Sequence, residues 1–304
     1  MQELMVYVGQ LECYGKSNEV IKQFLDVDVS AAQVYRVTDT YGQELGKTIN
    51  EERTLPPVQQ QEILYVEADG SMVLTREESW KEVKVGRMFK STDCVKTDEK
   101  PGWIKQSQYV AHLGGHRGFI EKMDGLIESN GALGNRLVFI SDGAPWIRNW
   151  ITDSFPQAES ILDYYHASQY LYEFADACFT QKHQAKKWVH RQQGLLLKSK
   201  LTGVITNIQK LAPNMPAAKK ILDYYAANQD RMDYKKYQQT GCGIIGSGAI
   251  ESAHRTVVQK RLKLSGQRWS IQGAQHMLNL RVTQMNGQWS NVVKLVQTEF
   301  KTAA

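Results

Sequence analysis

Three extended runs mark the first half of the chain. "EILYVEADG" (Glu62–Gly70) climbs through apolar residues to a carboxylate and a glycine, "WKEVKVGRMFK" (Trp80–Lys90) alternates polar with apolar positions, and "WIKQSQYVAHL" (Trp103–Leu113) is a third such run. A period of two puts alternate side chains on one face, so each run predicts a strand. The spacing then lengthens to a helical one between Gly115 and Asn130. "NRLVFISDGAP" follows, a short and nearly continuous apolar segment ending in Asp142, which is the pattern of a strand buried on both faces. A helix from Ala144 to about Ser154, a short strand in "QAESILDYY" and a helix starting near His166 complete the series.

Three strands, helix, strand, helix, strand, helix is the order of a ribonuclease-H-like domain, an α/β fold with a mixed sheet flanked by helices. From Ser168 to Gln238 the pattern is helical throughout, which predicts an all-α insertion into that domain. A glycine-rich turn, "TGCGIIGSGAIES", then leads into an amphipathic helix carrying Glu251. Ahead of the sheet, "KSNEVIKQFL" and "SAAQVYRVTDTYGQEL" read as two short helices broken at "DVDV", with Ser30 as N-cap of the second. That spacing suits a helix-turn-helix and equally a helical hairpin that touches no DNA. "INEERTLPPVQQQ", with its double proline, reads as a linker. The expected division is 1–48, a small helical, helix-turn-helix-like segment; 49–61, linker; 62–167, first part of the core; 168–240, basic helical insertion; and 241–304, return to the core with C-terminal helices.

With 304 residues, 42% of them hydrophobic, a sizeable core is within reach. No stretch approaches the run of about 20 apolar residues that a membrane span needs, and the Met1 end lacks a signal pattern, so a cytoplasmic, nucleoid-associated protein with no membrane partner is expected. Cys13, Cys94, Cys178 and Cys242 stand far apart with no C-x-x-C pair and read as reduced thiols. Charge changes the picture more. Residues 181–270 hold 17 Lys or Arg against 4 Asp or Glu, a net +13 that leaves −8 on the other 214 residues. Such an uneven distribution is the footprint of a polyanion binder, nucleic acid above all, although a solvated helical face would also read this way.

Three carboxylates sit at the edges of predicted elements: Asp69 at the end of the first strand, Asp142 at the end of a parallel strand, and Glu251 on the first turns of the helix after the glycine turn. Ligands gather at the carboxyl ends of strands in such sheets. Oxygen donors suit a hard divalent cation, and two ions together can activate a hydroxyl and stabilise a leaving oxygen at a phosphodiester. Each acid also has a plainer reading, as an Asp-Gly turn or as an i, i+4 partner of Arg255, and Glu67 shares a strand face with Asp69.

From about Glu62 to Met285 the chain resembles the DDE-type transposases of bacterial insertion sequences, through "DGSMV", "ISDGAPWI", "ILDYYHA" and above all "GSGAIESAHRTVVQKRLKLSGQRWS". The resemblance implies a metal-binding triad of Asp69, Asp142 and Glu251 on two Mg2+ (or Mn2+) ions, with the insertion falling in the 109 positions between the last two acids. It implies a partner too, double-stranded DNA as element ends and target, gripped by a homodimer or higher assembly. Only about sixty residues precede Glu62, fewer than such transposases carry, so the helices of 16–48 are expected to be what remains of the targeting apparatus.

"ILDYYHASQY" (from Ile161) has a near-echo sixty positions later in "ILDYYAANQD" (from Ile221), but the flanks differ and no repeat architecture follows. Related transposases carry Cys or Asp, two residues, then His after the second acid. "DYYH" fits, which makes Asp163 a candidate DNA contact and His166 a candidate catalytic residue; "DYYA" does not and is expected to be helical scaffold. His166 reads either as a donor to a phosphate or as a satisfied histidine at a helix start. Beyond Glu251, the cations Arg255, Lys260, Arg261, Lys263 and Arg268 are expected on phosphates, and Trp269 either stacks on a base or lies in the core. The expected function is a metal-dependent transposase; the alternatives are a ribonuclease-H-like nuclease without strand transfer and a non-catalytic transposase-derived DNA-binding protein.

Overall fold

The computed structural model describes residues 1–47, 55–96, 102–131 and 136–302. Strands β1 (Leu64–Leu74) and β2 (Trp80–Lys90) form a long antiparallel hairpin, and a two-stranded ribbon, β3 (Cys94–Val95) with β4 (Trp103–Ile104), leads into β5 (Gln108–Leu113). β5 pairs antiparallel with β2. β6 (Leu137–Ser141) then lies parallel to β1, and β7 (Glu159–Leu162) parallel to β6, giving the sheet order β5-β2-β1-β6-β7. This is the mixed ribonuclease-H-like sheet expected. The run read as one strand over 103–113 is two, because Lys105 N donates to Asp93 O and closes the ribbon first.

Helices precede the sheet as α1 (Gln2–Leu11), α2 (Tyr14–Leu25) and α3 (Ala31–Leu45); Ser30 Oγ accepts from Gln33 N, the N-cap bond its position predicts. α4 (His116–Ser129) and α5 (Pro145–Ser154) cover one face of the sheet, where Leu64, Val66 and Ala68 of β1 meet Phe119, Met123 and Trp150. Tyr65, Glu67 and Asp69 alternate to the other face. That face receives α6 (Tyr164–Cys178), α7 (Lys182–Leu196), α8 (Leu201–Leu211), α9 (Pro216–Asn228) and the short α10 (Tyr234–Tyr237), then α11 (Gly248–Ala253). α11 passes through a π-helical turn (His254–Gln259) into α12 (Lys260–Leu262), and α13 (Ile271–Met285) and α14 (Trp289–Thr302) close the chain. The helical stretch expected from Ser168 runs through α6 to α10, and its expected start falls inside α6.

One expectation about the N-terminal third changes. Positions 49–54 of the expected linker lie outside the described residues, but Leu55 and Val58 are buried in the α4–α5 core and Val58 N donates to Asn130 O, so the proline segment is strapped down. α3 packs on α13 closely enough that a Cβ on Gly42 would stand 2.5 Å from His276 O. Buried Arg261 and Arg281 also reach the last carbonyls of α1, with Arg261 Nε on Gly9 O at 2.9 Å and Arg281 Nη1 on the Gln10 side chain at 2.7 Å. Cations at a helix C-terminus satisfy its orphan carbonyls and its dipole together.

Candidate active site

Asp69 does not end its strand, as its sequence position suggested; β1 continues to Leu74. What ends is the parallel neighbour, whose pairing with β1 stops at Glu67 and Ile140. Past that point β1 has an open side, and the crevice expected at strand ends forms mid-strand instead. Asp142 follows β6 directly. Its Oδ1 accepts from Ala144 N at 2.9 Å, Gly143 takes φ +93°, and the chain turns into α5. Glu251 is exposed on the first turn of α11 and accepts a long bond from Ser247 Oγ at 3.4 Å.

Asp69 feels the other two acids. Burial, together with the charges of Asp142 and Glu251, pushes the Asp69 carboxyl up to about 6 against the opposing hydrogen bond from Gly70 N and the charge of His166. Among the described residues, no three His, Cys, Asp or Glu side chains are closed around a metal position. The donor set nevertheless fits a hard cation: oxygen donors only, open to solvent, with the charges of two of the acids acting on the third.

Beneath them lies Glu67, fully buried on the same strand face, its Oε2 accepting from Ile250 N at 2.7 Å. Burial raises its pKa to about 8, so it stands protonated at neutral pH and fastens α11 to β1. His254, one turn after Glu251, places Nε2 3.4 Å from Asp69 Oδ2; burial lowers its pKa to about 4, which keeps the ring neutral.

Asp163 is sealed from solvent. It caps α6 through Tyr165 N, accepts from Ser247 N at 3.2 Å, and holds His166 Nδ1 at 2.6 Å. Burial alone would raise its pKa, but these bonds outweigh it and lower the value. The same bond raises the pKa of His166 against burial, helped by the charges of Asp142 and Asp69. Asp163 was expected among the DNA contacts; a fully buried carboxylate cannot be one, and here it orients His166.

Of the expected phosphate contacts, Arg255, Lys260, Lys263 and Arg268 are exposed, and Lys263 lies near enough to Asp69 for their charges to interact. Arg261 is a correction. It is 1% exposed, with its guanidinium 4.8 Å from the rings of both Tyr14 and Trp269. Trp269 is buried as well, donating to Leu262 O, so the core reading of that residue holds and the base-stacking one does not.

Sequence reading passed over His254, Ser247 and Tyr224. E-x-x-H spacing was the available signal for the first. Tyr224 belongs to the second echo, which is helical scaffold in α9 and still reaches the site: its hydroxyl donates to Asp142 O at 2.7 Å, while Tyr225 Oη donates to Ala167 O beside His166. The model of an uncharacterised protein family (UPF0236) matches residues 7–299. No curated protein matches the chain.

Proposed function

Because the chain belongs to the uncharacterised protein family UPF0236, we propose its function from the geometry of its acids: a DNA transposase that hydrolyses phosphodiesters at the ends of a mobile element and joins the freed 3′-hydroxyls to target DNA. What supports this reading is the nearness of Asp69 to Asp142 and Glu251 at the ribonuclease-H-like sheet, where the charges of those two acids add to burial in raising the Asp69 carboxyl. Two Mg2+ or Mn2+ ions held by these acids would supply activation of the attacking hydroxyl and neutralisation of charge at the leaving oxygen.

The chain's own groups do the rest. His166, fixed through Nδ1 by Asp163, lies near enough to Asp142 and Asp69 for their charges to act on it, and it stays protonated to a higher pH than a free imidazole. That proton serves a phosphate oxygen or the departing 3′-oxygen. Ser247 N and Glu67 lock α11 to the dyad and to β1, so Glu251 keeps its distance from both aspartates. Arg255, Lys260, Lys263 and Arg268 are exposed, Lys263 near Asp69, and would meet the phosphate backbone of double-stranded DNA. Synapsis of two ends asks for a dimer or larger assembly.

The test is incubation of the full chain with Mg2+ and labelled duplexes from the DNA flanking its coding sequence. Joined products support the proposal. Cleavage without joining leaves a nuclease, and a gel shift without chemistry leaves a DNA-binding protein.

A further inference from the structure

A cavity of about 630 Å3 opens between the β3–β4 ribbon and the glycine turn that leads into α11. One wall is the segment that delivers Glu251, since Gly246, Gly248 and Ser252 all line it. Its rim carries two aromatic side chains left in solvent, Trp103 of β4 at 53% exposure and Tyr165 of α6 at 61%.

Tyr165 is fixed as well as exposed. Its backbone N–H donates to Asp163 Oδ1 at 2.8 Å, and the Cδ2–Cε2 edge of its ring packs so close to Gly246 that a Cβ there would stand 2.5 Å from both ring carbons. Any larger residue at Gly246 would lift the ring off the turn. Two cations join the aromatics along the lining: exposed Lys96, and Arg87, which is buried and donates through Nη1 to Ala249 O at 2.8 Å. A ligand for this place has a planar face to lay on a ring and an anionic group for Lys96. A base inside a duplex has both faces covered by its neighbours, whereas an unpaired one is free to stack.

We propose that this cavity takes one unpaired nucleotide of a DNA strand, its base on Tyr165 and Trp103 and its phosphate toward Lys96, beside the phosphate handled by Asp69, Asp142 and Glu251. This rests on the reading of those acids as a phosphodiester site, and it adds that the substrate is opened next to the cut.

Fluorescence anisotropy of the full chain in metal-free buffer tests it, with a labelled oligothymidylate of about twelve nucleotides, an abasic strand of equal length and a duplex of equal length. Tyr165→Ala and Trp103→Ala should each weaken binding of the oligothymidylate about 10-fold, Tyr165→Phe should bind like the parent, and the duplex and abasic strand should be held equally by all four proteins. Unchanged oligothymidylate affinity in both Ala variants, or an equal loss on the abasic strand, overturns the pocket assignment while leaving the DNA reading intact. Failure of the parent to bind any of the three probes overturns both.

Discussion

Replacing Asp142 by Asn removes one charge at almost constant volume, so it separates chemistry from binding. Cleavage should fall by several orders of magnitude while duplex affinity stays within about 3-fold, as measured by single-turnover cleavage beside a titration. Asp69→Asn should match it. Glu67→Gln should cost far less, because Glu67 is already protonated at neutral pH and only holds Ile250 N. The ranking of those two variants decides which residue of the strand face is the ligand. His166 and Asp163 give a signed pH effect. The folded pKa of Asp163 is lowered, so its share of stability is present above its unfolded value of about 4 and lost in more acid solution. That of His166 is raised, so its share is complete below about 6.5 and fades as pH rises through the folded value. The melting difference between the parent and His166→Ala should therefore be larger near pH 6 than near pH 9. Equal differences at both would mean that the dyad carries no ionic coupling. At saturating DNA, the same variant should cleave about 10- to 1000-fold more slowly.

Elements position these residues through contacts no single element contains. α11 is held by Glu67 from β1 and by Asp163 from the start of α6, which ties Glu251 to strand and helix at once. The π-helical turn after it leaves Thr256 O accepting from Arg281 Nη2, and Arg281 in turn reaches the end of α1. Arg261→Ala should consequently act on folding, not on DNA. Loss of the Tyr14 and Trp269 stacking and of the Gly9 bond should lower stability by about 2–4 kcal/mol in a denaturant titration, with the salt dependence of DNA binding unaltered. A flattened slope in that variant would return Arg261 to the phosphate contacts. Tyr225→Ala, which empties a fully buried site in the α6–α9 seam, should cost about 3–5 kcal/mol by the same measurement.

At the scale of the whole molecule, the proposed DNA binding would rest on the uneven charge of the chain. Arg255→Ala and Lys260→Ala should each flatten the dependence of log affinity on log salt by about one unit, on every duplex sequence alike. In the proposed metal site Asp69 would link metal to stability: its unfolded carboxyl ionises near 4 and its folded one near about 6, so metal-free stability falls as pH rises between them. Melting near pH 8 should thus rise with Mg2+ for the parent and hardly at all for Asp69→Asn, which should itself melt higher than the metal-free parent. The amino-acid sequence by itself determined the order of elements from the first strand to the helix at His166, the Ser30 cap, the helical insertion and the turn at Asp142, because period, capping and turn chemistry are local properties. It could not show that β1 runs on past Asp69, that Asp163 is sealed, that Arg261 sits between two rings, or that the second echo touches Asp142. Those follow from burial and from partners far away in the chain, such as Gly9 with Arg261 and Asp142 with Tyr224. Only the packed tertiary structure decides whether a charge meets solvent or a ring, since the same side chain is compatible with both until its neighbours arrive.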